Sequence, residues 1–287
     1  MHGKKRYHCV MSEEKKIPQI DVEEIIRSKN PTLLKLLPGF VLSYIKKILH
    51  QADVNDFLKK HHQSYGLDFV RAVIQEFELK ITCSGLHNIP QTGGCVIVSN
   101  HPLGGLDALP LMQEVSKVRT DLKFLVNDVL MNLENLRPVF VPVNKLGKNA
   151  GAAIQRISDT YASEAVTLIF PAGLVSRKQN GIVKDLDWHK SFITQSVKYH
   201  RNIIPVFIDA FNSDFFYNLG LWRKRLGLKV NIEMFFLVNE MYKQRNKSIN
   251  ITFGELIPCT TFTKEYSDRY WAKEVRRRVY DLQAKNR

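Results

Sequence analysis

The chain has 287 residues, of which 44% are hydrophobic, and its formal net charge is +14. A hydrophobic content of this size supports a substantial core, so the composition excludes a disordered or fibrous protein. The excess of lysine and arginine predicts a negatively charged partner, either a nucleic acid or an anionic membrane surface, and charge alone does not choose between them.

The first part of the chain is predicted to be an unstructured tail followed by helices. Residues 1–24 contain no apolar segment of the kind found in a signal peptide. Between residues 25 and 77, apolar side chains recur at helical spacing with lysines around them. The longest apolar stretch, Leu33–Leu49, is interrupted by lysines and a proline and falls short of the roughly 20 residues of a membrane-spanning helix. We therefore predict amphipathic helices that cap the core, lie in a membrane surface without crossing it, or do both.

From residue 78 to residue 287, short β-rich segments alternate with helical ones, which predicts one α/β domain built on a mixed central sheet flanked by helices. The strands are expected at Leu79–Cys83, Cys95–Val98, Phe124–Val126, Val139–Val143, Val166–Phe170, Ile203–Ile208 and Ile249–Phe253. The helices are expected at Asp107–Val118, Ala150–Ser163, Trp188–His200, Phe215–Arg225, Ile232–Arg245 and, with a basic face, Ser267–Gln283.

A histidine and an aspartate follow the second of these strands, in the stretch Ser-Asn-His-Pro-Leu-Gly-Gly-Leu-Asp. His101 lies just beyond the strand end, where α/β sheets bind ligands. Gly104 and Gly105 let the chain fold back, so that Asp107 can reach the imidazole. An aspartate bonded to Nδ1–H fixes the tautomer and leaves Nε2 free to accept a proton from a hydroxyl. Considered alone, a histidine six residues before an aspartate is more typical of a structural His–Asp pair.

The stretch from Asn100 to Asp107 resembles the His/Asp motif of the lysophospholipid (glycerolipid) acyltransferase superfamily. Three further blocks follow in that family's order, and the resemblance spans residues 79 to 255. The blocks are Phe140–Lys145, Phe170–Arg177 and Ile203–Val206. The resemblance implies the glycerolipid acyltransferase fold and direct transfer of an acyl group, with His101 as general base and Asp107 orienting it. It implies no cofactor and no metal, because an acyl carrier protein (ACP) or coenzyme A (CoA) thioester is itself the donor substrate.

The resemblance also implies which residues contact the substrates. These residues belong to the turn after His101 and to the second and third blocks. They are Asn100, Gly104, Gly105, Asn144, Lys145, Pro171, Gly173, Ser176, Arg177 and Lys178. Backbone N–H groups near Gly104 or Gly173 are expected to stabilise the oxyanion of the tetrahedral intermediate.

Two departures from the family pattern bear on the acceptor. Five residues rather than four separate His101 from Asp107, and Ala172 stands where the third block normally has glutamate. The variant is more similar to a bacterial branch that O-acylates lyso-aminolipids of the N-acyl-glycine or lyso-ornithine type. We therefore predict an O-acyltransferase of membrane lipid synthesis whose acceptor has a carboxylate head group, which the fork of Arg177 would bind. The alternatives are a 1-acyl-sn-glycerol-3-phosphate acyltransferase and a non-catalytic lipid-binding protein.

The expected partners are a lyso-lipid, an acyl-ACP or acyl-CoA, and an anionic membrane. We expect the protein itself to be peripheral or monotopic, at the cytoplasmic face of the inner membrane. No nucleic-acid-binding signature is present, so no nucleic-acid partner is predicted. A basic aromatic segment is either a solvated face or a membrane-docking patch. It contains Phe215, Phe216, Tyr217 and Trp222 beside Arg223, Lys224, Arg225 and Lys229. A second group either borders the acceptor site or, for Asp187, caps a helix. It contains Asp185, Asp187, Trp188 and His189.

Overall fold

A computed structural model of the chain describes residues 19–143, 150–228 and 231–284. The strands within these ranges, labelled in chain order, are β1 Lys80–Ser84, β2 Cys95–Ser99, β3 Leu122–Val126, β4 Phe140–Pro142, β5 Val166–Ile169, β6 Arg177–Gln179, β7 Ile182–Lys184, β8 Asn202–Asp209 and β9 Ser248–Phe253. The α-helices are α1 Val22–Lys29, α2 Pro31–Leu36, α3 Gly39–Ile48, α4 Gln51–Lys60, α5 Leu67–Glu76, α6 Ala108–Ser116, α7 Ala150–Ala162, α8 Ser191–Lys198, α9 Asp214–Arg225, α10 Leu237–Tyr242 and α11 Asp268–Ala284.

The central sheet has the strand order β1-β9-β8-β2-β5-β3-β4. Neighbouring strands are parallel except β8 and β9, which are antiparallel. The prediction of a mixed central sheet flanked by helices is therefore confirmed.

Strand β2 lies in the middle of the sheet and is buried on both faces. Cys95 and Ile97 belong to a core beneath α5 and α6, whereas Val96 and Val98 belong to a second core beneath α8 and α11. Because side chains alternate between the two faces of a strand, a strand covered on both faces has a continuous apolar sequence. This explains why Cys95–Val98, the first four residues of β2, are apolar at every position.

The parallel strands bring their carboxyl ends to one edge of the sheet. His101 follows β2, and Phe170 follows the neighbouring strand β5. The segments after β8 also reach this edge, since the side chain of Asn212 donates to the carbonyl of Pro102 over 3.2 Å. Residues that are distant in sequence therefore surround the turn that contains His101, as expected for a ligand crevice of a parallel sheet.

The structure differs from the sequence-based expectations in several elements. Helix α1 begins at Val22 rather than after residue 24, because Asp21 caps it by accepting from the N–H of Glu23 over 2.9 Å. The helix expected over Ile232–Arg245 is a 3₁₀ turn, Ile232–Phe236, followed by the short α10. The β6–β7 hairpin was not predicted. Among the described residues, no helix is both long and apolar enough to cross a membrane.

Candidate active site

The centre of the site is the pair His101 and Asp107. The Nδ1 atom of His101 lies 2.8 Å from Oδ2 of Asp107. The aspartate is fully buried, and its two oxygens also lie 2.9 and 3.0 Å from the backbone N–H of Leu103. The imidazole keeps 17% of its side-chain surface exposed. A buried carboxylate that accepts from Nδ1–H leaves Nε2 as the basic nitrogen of a partly exposed ring.

Burial has a direct electrostatic effect on Asp107. Loss of solvation raises the pKa of this carboxyl, while His101 and the backbone N–H groups of Leu103 and Gly104 lower it in part. The carboxylate is therefore costly to keep ionised away from water, and the hydrogen bonds that it accepts from His101 and Leu103 offset part of that cost.

The turn between the two residues accommodates the additional residue through a glycine. Gly104 has φ +88°, a backbone conformation that residues with a side chain rarely adopt. A Cβ atom at this position would lie 3.0 Å from Leu237 of α10. The spacing of five residues thus depends on a glycine in the left-handed region and on the close approach of α10.

The ring of Phe170 covers one face of the imidazole. The two ring centroids are 4.1 Å apart and the rings are inclined by 21°. This contact restricts the ring orientation of His101 and removes water from one of its faces. Phe170 is the first residue of the third block, but its contact with His101 was not predicted, because it depends on the pairing of β5 with β2.

Behind His101 lies a second buried carboxylate, Asp185, which follows β7. Its Oδ1 accepts from the backbone N–H of His101 over 3.1 Å and from the hydroxyl of Ser176 over 2.5 Å. Its Oδ2 accepts from the indole N–H of Trp188 over 2.8 Å. Ser176 in turn donates its backbone N–H to the carbonyl of His101 over 2.7 Å. Asp185 and Ser176 thus hold both backbone polar groups of His101.

The structure corrects the interpretation of Asn100 as a substrate contact. Its amide donates to the carbonyl of Ile208 over 2.9 Å and accepts from the N–H of the same residue over 2.8 Å. The side chain is buried and fastens the end of β2 to β8. Asn100 therefore positions the strand from which His101 emerges.

The structure also corrects the interpretation of Arg177 as a free carboxylate-binding fork. Its side chain is buried, with one terminal nitrogen 3.1 Å from Oε1 of Glu233 and the other donating to the carbonyl of Val175 over 3.2 Å. The guanidinium also lies over the ring of Phe216, 5.3 Å from its centroid. On the other side of Glu233, Arg223 lies 3.0 Å from Oε2. The fork is therefore occupied by a carboxylate of the protein itself.

The remaining predicted contacts that the structure describes lie in the segments after β2 and β5 or in β6. The carbonyl of Pro171 accepts from the backbone N–H of His189, and the N–H of Gly173 donates to the carbonyl of Phe170, each over 3.0 Å. The N–H of Gly173 is thus bonded within the protein. Lys178 lies at the surface, 3.4 Å from Asp214. Gly105 has open space around the position of a Cβ atom. The predicted contacts Asn144 and Lys145 lie outside the described residues.

Ala172, which replaces the family's glutamate, is buried in the core beneath α8 and α11 together with Trp188. Asp187 does not cap α8, which begins at Ser191 after Lys190. Of the four residues left open after the third block, Asp185 is the one that reaches His101, through a backbone hydrogen bond. Its only signal in the sequence is its position shortly after that block.

The arrangement as a whole is a general base on the edge of a parallel sheet, with a buried carboxylate to orient it and a second carboxylate to hold its backbone. Such a site can remove a proton from a hydroxyl and so promote its attack on an activated acyl group.

Comparison with known proteins agrees with this chemistry. The acyltransferase family model matches residues 24–286, and the chain belongs to that family. It is 43% identical over 264 residues to the lyso-glycine lipid O-acyltransferase of Bacteroides thetaiotaomicron, which covers 92% of this chain and 97% of that protein. It is 42% identical over 275 residues to the lyso-glycine lipid O-acyltransferase of Phocaeicola vulgatus, with coverage of 96% and 98%.

Among solved structures, the chain is similar to the 1-acyl-sn-glycerophosphate (LPA) acyltransferase PlsC of Thermotoga maritima. The TM-score is 0.49 and the identity is 18%, over 91% of this chain and 93% of that one. The family match and the two curated relatives define the protein as an acyltransferase of lipid metabolism.

Proposed function

We propose that this acyltransferase transfers a fatty acyl group to the hydroxyl of a lyso-aminolipid, specifically a lyso-glycine lipid. The observation that carries the proposal is the similarity, over more than nine tenths of the chain, to two lyso-glycine lipid O-acyltransferases. The buried Ala172 supports it, because this position lacks the carboxylate found in the phosphate-acceptor branch of the family.

In the proposed reaction, His101 acts as the general base. Its Nε2 takes the proton from the acceptor hydroxyl while the hydroxyl oxygen attacks the carbonyl carbon of the acyl thioester. The imidazolium that forms is stabilised by Asp107 through the bond at Nδ1. The tetrahedral intermediate then collapses, the carbon–sulfur bond breaks, and the thiolate takes the proton from His101. The acyl group passes directly to the acceptor, so no acyl-enzyme forms.

Recognition of the acceptor carboxylate is proposed to involve the charge around Glu233 rather than a free arginine fork. Arg177 and Arg223 carry two positive charges against the single negative charge of Glu233. The net charge of this buried group is therefore positive. Arg177 directly follows Ser176, whose backbone N–H donates to the carbonyl of His101, so the backbone of Arg177 lies next to the segment that contains the base. The net positive charge is proposed to attract an anionic head group without releasing Arg177 from Glu233.

We further propose a peripheral position at the cytoplasmic face of the inner membrane, with ACP or CoA carrying the acyl donor. Two groups of exposed apolar side chains support contact with a membrane. The first is Leu36 on α2 and Phe40 on α3; the second is Phe215 and Trp222 on α9 and Leu226 directly after it. Phe216 and Tyr217 are buried, so the aromatic patch is smaller than its sequence indicates; Lys229 lies outside the described residues. Arg223, Lys224 and Arg225 in the last turn of α9 add positive charge beside it.

The test is a competition between acceptors. The purified protein is given equal amounts of a lyso-glycine lipid and 1-acylglycerol 3-phosphate in mixed micelles with one acyl thioester, and both products are quantified by mass spectrometry. We expect the diacylated glycine lipid to predominate. His101→Ala, the matched control, should lower turnover by about 10²–10⁴-fold, the usual contribution of a general base.

Two other results would each favour an alternative. Predominant formation of phosphatidic acid would identify a phosphate-acceptor enzyme. Equal, background-level release of thiol by the wild type and His101→Ala, with both proteins folded and lipid-bound, would identify a non-catalytic lipid-binding protein.

A further inference from the structure

A basic groove lies between the β6–β7 hairpin and the last helix, α11. It encloses about 300 Å³ and is lined by eight residues, four of which are cations and none of which is acidic. The cations are Lys184 at the end of β7 and Lys273, Arg276 and Arg277 on α11. The groove therefore concentrates positive charge at one place on the protein.

Three of these cations have no carboxylate partner among the residues that the structure describes. Arg277 is neutralised within its own helix by Glu274 at 2.7 Å and Asp281 at 2.5 Å. In contrast, Lys184, Lys273 and Arg276 take part in none of the ion pairs found among the described residues. Arg276 donates to the carbonyl of Asp185, which satisfies a hydrogen bond and leaves the positive charge uncompensated.

Two residues that line the groove form hydrogen bonds with Asp185, the residue that holds the backbone of His101. The hydroxyl of Tyr280 accepts from the backbone N–H of Asp185 over 2.8 Å, and Arg276 bonds to the carbonyl of the same residue over 2.5 Å. The carboxylate of Asp185 holds the backbone of His101 at 3.1 Å. Asp185 thus contacts both the lining of the groove and the backbone of His101, so the groove lies next to the residue that supports the base.

We propose that this groove, with Lys184, Lys273 and Arg276, is the docking site for the acyl donor's carrier and that the carrier is ACP, an acidic protein. The proposal rests on the proposed acyl transfer. Charge complementarity favours an acidic protein surface, because the cations are distributed along a helix and an adjoining hairpin rather than gathered around one point. Complementary charges of this kind chiefly accelerate encounter and set the orientation of the partner.

The test compares one acyl chain on three carriers: ACP, CoA and N-acetylcysteamine, a small neutral thiol. The variant Lys184→Gln/Lys273→Glu alters the groove and spares Arg276, which holds Asp185. The control variant Lys80→Gln/Lys247→Glu makes the same change of net charge at exposed lysines beside β1 and β9. All assays use the full chain with the lyso-glycine lipid as acceptor.

We expect the groove variant to raise KM for acyl-ACP by about tenfold or more with little change in kcat, because repulsion replaces attraction at the docking surface. Added salt should narrow the difference, because charges are screened beyond about 10 Å at 0.1 M ionic strength. The N-acetylcysteamine thioester should react equally with the groove variant and the wild type, and the control variant should behave as the wild type with every donor.

The proposal is overturned if both variants change KM for acyl-ACP equally or leave it unchanged. A rise in KM for acyl-CoA alone would assign the groove to a nucleotide carrier instead. Binding of fluorescently labelled ACP, measured by anisotropy without any acceptor, separates docking from catalysis. If the wild type binds ACP through the groove yet acylates no lyso-glycine lipid, the acceptor proposal fails and the docking site stands.

Discussion

Asp107→Asn is expected to abolish most of the activity while leaving the fold intact. The backbone N–H of Leu103 lies 2.9 and 3.0 Å from the two carboxylate oxygens. This N–H requires an acceptor, so in the variant it would bond to the single oxygen of the asparagine. The amide NH₂ would then face Nδ1 of His101, which lies 2.8 Å from the native Oδ2. Because NH₂ donates only, Nδ1 would become the acceptor and the proton would move to Nε2, the atom that must accept the substrate's proton.

The magnitude follows from this change of tautomer. An asparagine that imposes the wrong tautomer on a catalytic histidine lowers kcat by about 10⁴-fold, and at about 1.36 kcal/mol per decade this corresponds to about 5.4 kcal/mol of activation free energy. Stability should respond differently. Burial raises the pKa of Asp107. When a carboxyl has a higher pKa in the folded state than in the unfolded state, the protein loses stability as the pH rises from the unfolded-state pKa to the folded-state pKa. Asparagine does not ionise, so the variant does not have this loss. We expect the free energy of unfolding at pH 7 to stay within about 1 kcal/mol of the wild type.

The assay combines single-turnover acyl transfer with denaturant unfolding at pH 7. Asp107→Ala is the matched control. It leaves the N–H of Leu103 buried without an acceptor, which should cost about 1–3 kcal/mol of stability, yet it does not impose the wrong tautomer. We therefore expect the asparagine variant to be the more stable and the less active of the two. An asparagine variant within tenfold of wild-type activity would refute the assignment of Asp107 as the residue that orients the base.

Two further predictions concern residues around the site. Asp185 accepts three hydrogen bonds, and Asp185→Asn would place an NH₂ group against one of the three donors. We therefore expect a loss of about 1–3 kcal/mol in stability. We also expect kcat to fall by more than KM changes. Unfolding and steady-state kinetics measure both, and Trp188→Phe in the same chain should recover part of the stability if the conflict lies at the indole. Phe40→Asp and Trp222→Asp should each weaken binding to anionic vesicles by about tenfold or more, because burying such a side chain contributes roughly 1.5–3 kcal/mol. A flotation assay measures the binding. Tyr65 is an exposed aromatic residue outside both apolar groups, so Tyr65→Asp serves as the control. An equal loss of vesicle binding in all three variants would contradict membrane contact by α3 and α9.

The sequence by itself determined the elements of the fold that depend on local patterns. Each of the seven strands of the central sheet was predicted within a few residues. The buried strands are visible as continuous apolar stretches, and β1 and β9 as alternating ones. The position of His101 at the end of β2, and the turn through Gly104 to Asp107, could also be predicted. This segment is short, and its chemistry lies in adjacent residues.

Only the tertiary structure decided which side chains meet around that turn. The amide of Asn100 bonds to β8, Arg177 pairs with Glu233, and Asp185 reaches the backbone of His101. None of these contacts follows a sequence period, because each joins segments that approach one another only after the sheet and its connections have formed. Arg177 illustrates the consequence: its charge was visible in the sequence, but the partner that neutralises it lies on a different element, and burial drives the two together because an unpaired charge is costly away from water.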